Sequence, residues 1–202
     1  MALSAFEAAL PFILRWEGGF VDHPADPGGR TNRGVTQRTY DAWRAGLGLP
    51  SRDVKGIEDA EVHAVYESGY WMPPRCNLLD RPLDLVQFDT AVNMGPRRAV
   101  RFLQRAVGCG VDGDFGPGTQ RAVSACRPGD ALATYCSVRE DFYRQIVARK
   151  PEQSVFLKGW MNRLNSLRRE AGLPGATPTR GSGEVGVTRR IPDIGEDPSY
   201  DF

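Results

Sequence analysis

The sequence predicts a mainly α-helical protein with a small β-hairpin or structured loop near its N-terminus. Apolar residues recur at helical spacing through most of the chain, and beyond that hairpin no convincing alternation of apolar and polar residues predicts a sheet. Between residues 18 and 36, seven glycines and prolines exclude a continuous helix. The prediction is therefore a helical fold that is interrupted once, close to its start.

The first helix is predicted from a capping box. Ser4 and Glu7 have the S-x-x-E spacing with which two side chains satisfy backbone N–H groups at a helix start. Apolar residues then follow every three or four positions, and Gly18-Gly19 is expected to end the helix. Because Pro11 lies inside this pattern, we expect it to bend the helix or to shift its start.

Later helices are predicted from the same periodicity, with a break at Gly95-Pro96. We expect residues 1–95 to form a first part, on which a second helical part, 96–172, packs. Residues 173–202 contain five glycines, four prolines and few large apolar side chains, which predicts a flexible tail. The helices are predicted near 36–45, 58–71, 81–107 (two helices), 119–126, 129–149 and 154–171.

Composition limits the classes of function. A net charge of +1 does not indicate nucleic-acid binding, and no apolar run is long enough to span a membrane. The N-terminus lacks a basic region, and Glu7 interrupts its apolar stretch, so we expect synthesis in the cytoplasm without a standard secretory signal. The four cysteines form no CxxC pair, which argues against zinc. We expect them to be free, with one disulfide formed after export as the alternative.

Glu17 is the strongest candidate for chemistry, because it continues the apolar face of the first helix. A carboxyl group at the end of an apolar face is partly desolvated, which favours its neutral form. A general acid needs that form to protonate a glycosidic oxygen. Gly18 and Gly19 remove side chains where a sugar would approach. The alternative is a solvated surface glutamate at a helix end.

A second carboxylate is expected in the turn that begins at Asp26. Glycoside hydrolysis commonly uses two carboxyl groups, one as acid and the other as base, nucleophile or electrostatic partner. Asp22 is a rival for this role. Thr31 and Thr36 could hold a water molecule or orient the second carboxylate. The alternative is that the Asp-Pro-Gly-Gly sequence forms only a turn.

This segment resembles the signature of glycoside hydrolase family 108, lysozyme-like muramidases found as phage endolysins and as secretion-associated bacterial proteins. Residues 17–20 match its Glu-Gly-Gly-aromatic start, and residues 26–36 match its Asp-Pro … Gly-Gly-x-Thr-x-x-Gly-Val-Thr part. His23-Pro24 departs from the pattern, where an acidic or amide residue often precedes the proline. The resemblance implies a lysozyme-like fold, no metal or cofactor, and hydrolysis of the β-1,4 bond between N-acetylmuramic acid and N-acetylglucosamine.

The resemblance also implies that residues 1–95 are the lysozyme-like catalytic part and that Glu17 is the acid. Asp26 and Thr31 are the further catalytic candidates. The spacing from Glu17 to Asp26 to Thr31 is close to the Glu-Asp-Thr arrangement of phage-type lysozymes, although the threonine comes one residue early. The stereochemical outcome depends on the separation of Glu17 from the second carboxylate: about 5 Å favours retention and about 6.5–9.5 Å favours inversion. Of the two we expect inversion, because a carboxylate on a loop leaves room for a water molecule.

The second half resembles predicted peptidoglycan-binding helical domains. The similarity is carried by the turn 111–119, the preceding residues 99–104, and the segments 156–160 and 162–164. It implies that the glycan strands of peptidoglycan are the partner. Asp112 and Asp114 hint at calcium, but the ligands of a full loop are missing.

Several further side chains are candidates for contact with the substrate. Aromatic rings can stack on sugars, although at helical spacing they are more often part of the core. The basic face of residues 97, 98, 101 and 105 could meet wall carboxylates or phosphates, or could simply be solvated. The substrate-binding candidates are Asp22, Thr36, Tyr70, Trp71 and Asn93, with Trp16 as a further aromatic ring.

Two other functions compete with hydrolysis. One is a non-catalytic wall-binding module that uses the turn 111–119, with Glu17 in a structural role. The other is a secretion or injection accessory protein that remodels the wall locally. In every case we expect a monomer that acts in the periplasm and cell wall, after release by a holin-like pore, a secretion machine or lysis.

Overall fold

The structure, a computed structural model, describes residues 3–22 and 29–173. This part of the chain contains eight α-helices and one two-stranded hairpin, which confirms the prediction of a mainly helical fold. The helices are α1 (Ala5–Trp16), α2 (Gln37–Gly46), α3 (Asp59–Tyr66), α4 (Leu83–Met94), α5 (Pro96–Ala106), α6 (Pro117–Ala125), α7 (Pro128–Arg149) and α8 (Ser154–Glu170). The strands are β1 (Thr31–Asn32) and β2 (Val35–Thr36). Short 3₁₀ turns lie at Val54–Gly56, Cys76–Leu78 and Pro151–Gln153, and a π-helical turn at Glu67–Trp71.

Helix α1 begins at the predicted capping box. The Glu7 backbone N–H donates to Ser4 Oγ at 3.2 Å, and the Ser4 N–H donates to Glu7 Oε2 at 2.8 Å. Pro11 lies inside the helix and does not shift its start. The last helical residue is Trp16, so Glu17 caps the C-terminus with extended backbone angles. This places the Glu17 side chain where the helix ends and the chain turns away.

Helix α4 is the centre of the core. Every residue from Leu83 to Asn93 is buried, and the helix packs against α1, α5 and α7. A helix without an exposed face must be covered on all sides by other elements. The predicted break after α4 is confirmed. Gly95 has a φ of 90°, which glycine adopts without a steric penalty, and Pro96 then starts α5.

The hairpin is joined to the end of α1. Its register pairs Thr31 with Thr36, and its two turn residues, Arg33 and Gly34, both have positive φ, as tight hairpin turns require. Val21 extends the pairing, because its N–H and carbonyl exchange hydrogen bonds of 2.8 and 2.9 Å with Thr31. The chain that leaves Glu17 is therefore held to the hairpin.

Gln104 of α5 organises the glycine-rich turn 111–119. Its Oε1 accepts hydrogen bonds from the backbone N–H groups of Asp112 and Gly113, at 3.0 and 2.9 Å. Its Nε2 donates to Asp112 Oδ1 at 2.7 Å and to Thr119 Oγ1 at 3.0 Å. Asp112 is thus used inside the turn. Nowhere in the described part of the chain do His, Cys, Asp or Glu side chains cluster as metal ligands would.

The four cysteines are free thiols, two of them buried (Cys76 and Cys136). None of the helices within 3–22 and 29–173 is long and apolar enough to cross a membrane. Leu173 packs against the core, and the rest of the predicted tail lies outside the described residues. The division at residue 95 stays a prediction.

Replacing Gln104 by alanine should destabilise the fold, because it leaves several buried turn groups without partners. Gln104 is 1% exposed, and we expect the free energy of unfolding to fall by about 2–3 kcal/mol in urea titrations. The matched control is Gln120→Ala on the exposed face of α6, which should change it by no more than about 0.5 kcal/mol. Equal losses of unfolding free energy in the two variants would contradict the prediction that Gln104 holds the turn 111–119 in place.

Candidate active site

The Glu17 carboxyl lies inside the protein rather than on its surface. Its side chain is 5% exposed, and Arg163 of α8 donates from Nη1 to Glu17 Oε1 at 2.9 Å. The two residues are 146 positions apart in the chain. The expectation of a desolvated carboxyl group at the end of α1 therefore agrees with its burial, and the solvated alternative does not.

Arg163 is itself held by a buried aspartate. Its Nε donates to Asp89 Oδ1 at 2.8 Å, while Nη1 of Arg139 donates to Asp89 Oδ2 at 2.6 Å. Asp89 and Arg139 are fully buried, and Arg163 is 1% exposed. In Glu17, Asp89 and the two arginines, carboxyl and guanidinium groups alternate along a chain of contacts that we call the buried charge network. It joins α1, α4, α7 and α8.

The protonation of Asp89 follows from these neighbours. Burial by itself raises the pKa of Asp89, but the guanidinium groups of Arg163 and Arg139 outweigh it and leave the pKa below the ordinary aspartate value. Asp89 is therefore an anion in the folded protein at neutral pH. Its two arginines are fixed by it, so the Arg163 nitrogen that reaches Glu17 has little freedom to move.

Tyr143 and Asn93 extend the network. The Tyr143 hydroxyl accepts from Arg139 Nε at 3.0 Å and donates to Asn93 Oδ1 at 2.9 Å. The Tyr143 ring stacks on Trp160 with 5.3 Å between centroids. Three buried nitrogens have no acceptor among the described residues: Asn93 Nδ2, Arg139 Nη2 and Arg163 Nη2. The network thus has donors left for a polar group beside it.

The hairpin turn packs directly on Glu17. A Cβ atom at Gly34 would lie 2.6 Å from Glu17 Oε2 and would also overlap the Tyr66 hydroxyl. That hydroxyl donates to the carbonyl of Arg33 at 2.9 Å. Only a residue without a side chain fits between these groups, and the φ of 76° at Gly34 also favours glycine. One carboxyl oxygen therefore meets Arg163 and the other meets the hairpin.

The other predicted hairpin residues have different surroundings. Thr36 caps α2, because its Oγ1 accepts from the Thr39 N–H at 3.1 Å. The Thr31 hydroxyl donates to the Gly29 carbonyl at 3.1 Å. Asp22 is exposed and lies 3.4 Å from Nε of Arg30. Asp26 lies outside the described residues, so its distance from Glu17 stays undetermined.

The predicted aromatic contacts separate into two groups. Tyr70 is half-buried, with its ring centroid 5.8 Å from that of Tyr66, and Trp16 is also only partly buried. Trp71 is 3% exposed and packs against Phe6 and Phe88. This corrects the substrate-binding expectation for Trp71, because a ring without an exposed face cannot stack on a sugar.

The substrate-binding expectation for Asn93 is corrected as well, because Asn93 is 3% exposed and accepts from Tyr143 instead of facing solvent.

Sequence reasoning missed Asp89, Arg139 and Arg163 as parts of the site. A signal for Asp89 was present, since it is an aspartate inside an apolar stretch, Leu85-Val-Gln-Phe-Asp-Thr-Ala-Val92. A charge in such a stretch is buried with a partner more often than alone. The sequence did not indicate which arginine pairs with it.

Replacing Asp89 by asparagine should destabilise the protein strongly, because it removes the carboxylate that two buried guanidinium groups share. We expect the free energy of unfolding at pH 7 to fall by about 3–5 kcal/mol. The folded pKa lies below the unfolded value of about 3.9, so the contribution of Asp89 is present above that pH and is lost as the pH falls through the folded pKa. The deficit of the variant relative to wild type should therefore shrink below about pH 4 in urea titrations.

The matched control is Asp84→Asn, on the same helix and equally buried. Burial raises the pKa of Asp84 more than the N–H of Leu85 and the partly exposed Arg81, 3.6 Å away, lower it, so folding does not favour its ionised form as it does for Asp89. We expect a much smaller loss at pH 7 than for Asp89→Asn. Similar losses for both variants would contradict the special role of the Asp89 carboxylate.

Comparisons with known proteins agree with this arrangement. The model of the glycosyl hydrolase 108 family matches residues 10–95, and that of a predicted peptidoglycan domain matches residues 98–165. The solved structure of SagA from Brucella abortus is 34% identical, with a TM-score of 0.71, and the match covers 82% of this chain and 92% of that chain. No curated protein matches the chain. The chain therefore belongs to the glycosyl hydrolase 108 family, with a peptidoglycan domain in its second half.

Proposed function

We propose that this glycoside hydrolase is an N-acetylmuramidase in which Glu17 is the general acid. The bond broken is the β-1,4 bond between N-acetylmuramic acid and N-acetylglucosamine. Glu17 donates its proton to the leaving glycosidic oxygen, and water supplies the new bond at the anomeric carbon. The observation that carries the proposal is a carboxyl group, 5% exposed, held at the end of α1 between an arginine and a glycine.

The two oxygens of Glu17 have different surroundings. Oε1 accepts from Arg163, whereas Oε2 lies against Gly34 of the hairpin turn. We infer that Oε2 exchanges the proton with the substrate. Arg163 is then a positioning residue, since it fixes the direction of the carboxyl group and is itself fixed by Asp89. Such orientation is a substantial part of what an active site contributes to rate.

Asp26 is our candidate for the second carboxylate, which activates the attacking water and receives its proton. Asp22 is the weaker candidate, because it is exposed and already lies beside Arg30. Thr31 is proposed to orient the water. Inversion at the anomeric carbon is the expected outcome, since a carboxylate on the segment between α1 and the hairpin leaves room for that water.

The proposed place of action is the bacterial wall. The peptidoglycan domain supports the glycan strands as the partner. Release from the cytoplasm by a holin-like pore, a secretion machine or lysis is part of the same proposal, as is action as a monomer.

Glu17→Gln should abolish hydrolysis while keeping the fold. The amide oxygen can still accept from Arg163, but the side chain has no acidic proton to donate. We expect the release of muramic-acid reducing ends from purified peptidoglycan to fall by about 10²–10⁴-fold, with an unchanged circular dichroism spectrum. The matched control is Glu152→Gln, an exposed glutamate that should keep full activity.

The same assay decides between the competing functions. If wild type releases no reducing ends but still sediments with peptidoglycan, the binding-module function replaces the muramidase. If Glu17→Gln stays active, the acid is another residue.

Gly34→Ala should impair catalysis by pushing on Glu17. The added methyl group would lie 2.6 Å from Oε2 and 2.9 Å from Cδ, so the carboxyl group has to move. A displacement of about 1 Å at a reacting group costs about 10²-fold in rate. A turnover assay on purified peptidoglycan measures this loss. Gly48→Ala is the matched control, because its φ of 70° carries the same backbone strain but no atom lies within 4 Å of the new methyl group. Equal activity of the two variants would contradict the close contact between the hairpin and Glu17.

A further inference from the structure

A pocket lies where the two matched segments meet. It has a volume of about 280 Å³. The hydrolase segment contributes Pro73 and Arg75, and the peptidoglycan domain contributes Val100 and Phe115. Pro96 and Arg97, between the two segments, complete this wall. Gly113 and Asp114 of the turn 111–119 also line it, so the pocket combines apolar walls with two guanidinium groups and one carboxylate.

Arg75 is the unusual residue of this pocket. Its backbone is left-handed, with φ 58° and ψ 38°, a conformation in which glycine or asparagine would be less strained. Its side chain is exposed and, among the residues that the structure describes, has no ionic or hydrogen-bonded partner. An arginine in a strained position whose charge is not used inside the fold suggests that the charge is used outside it.

The opposite wall is shaped by the turn 111–119. A Cβ atom at Gly113 would lie 3.1 Å from Arg101 Nε and 3.2 Å from the Arg97 carbonyl, so this glycine lets the turn approach α5 closely. Arg97 Nη2 donates to the Asp112 carbonyl at 3.4 Å and lies 3.9 Å from Asp114 Oδ2. Asp114 therefore balances part of the charge of Arg97, whereas Arg75 stays available.

The pocket is connected to the surroundings of Glu17 through the chain. Tyr66, which lies against Gly34, packs on Tyr70, and Pro73 follows three residues later. On the other wall, Asn93 of the buried charge network is followed by Pro96 at the start of α5. One wall of the pocket is thus joined in sequence to Tyr66 beside Glu17, and the other to Asn93, which extends the buried charge network.

We propose that this pocket binds a carboxylate of the peptide stem carried by peptidoglycan, with Arg75 as its main charged contact. The proposal rests on the proposed function, because it assumes the same polymer as ligand. The glycan backbone itself is rich in hydroxyl and amide groups, whereas the stems carry carboxylates and small apolar side chains. Arginine pairs well with carboxylates, and the proline, valine and phenylalanine walls suit methyl groups.

The test uses binding rather than hydrolysis, so that it can fail independently of the muramidase. The full chain carries Glu17→Gln throughout. The probe is purified peptidoglycan, either intact or stripped of its stems by an amidase, with the lactyl carboxylates that the amidase uncovers then capped as amides. Adding Arg75→Gly should weaken co-sedimentation with intact peptidoglycan by about tenfold and leave binding to stripped strands unchanged. Glycine suits the left-handed backbone, so the variant should be at least as stable as its parent.

The matched control is Arg169→Ala, which removes the same charge from an exposed position at the end of α8. It should bind both probes like the parent. Arg75→Asn, which also tolerates the left-handed backbone, repeats the test if Arg75→Gly is less stable. Unchanged binding of the Arg75 variants to intact peptidoglycan, or an equal loss on both probes, would overturn the proposal. Failure of the parent to bind intact peptidoglycan would overturn it as well.

Discussion

The structure depends on the Asp89 carboxylate and its two arginines. Asp89 sits on the central helix α4, Arg139 on α7 and Arg163 on α8, and all three are buried. A buried carboxylate is tolerated only when partners replace the lost water, and here two guanidinium groups do so. Because Arg163 also donates to Glu17, the proposed catalytic carboxyl group is held by a guanidinium group that neutralises Asp89. The same buried contacts therefore hold the helices together and position the proposed acid.

Close approach of backbone to Glu17 is the second constraint. The hairpin reaches the carboxyl group only because Gly34 has no side chain and adopts a positive φ. Val21 ties the chain after α1 to β1, so the hairpin and the end of α1 form one unit. Arg163 acts on one carboxyl oxygen and the hairpin lies against the other. The direction of the proposed proton donor thus follows from two contacts made by distant segments.

The two segments matched by family models depend on each other. Glu17 and Asp89 belong to the segment 10–95, whereas Arg139 and Arg163 belong to the segment 98–165. The hydrolase segment alone would leave Asp89 buried without either arginine. The peptidoglycan domain therefore contributes residues to the candidate active site. Its turn 111–119, held by hydrogen bonds to Gln104, lines the pocket where the two segments meet.

The sequence by itself determined the helical class, the capping box at Ser4, the break at Gly95 and the position of Glu17 at the end of α1. These features are local, because each depends on a few neighbouring residues and the backbone rules that govern them. Tertiary structure decided what Glu17 touches. Arg163 is 146 residues away, and a single sequence carries no record of which distant residues pair. Tertiary packing also decided that Trp71 and Asn93 turn into the core while Tyr70 stays half-buried. Helical spacing predicts that one face of a helix is more apolar than the other. Only the packing of neighbouring helices determines which individual side chains are covered.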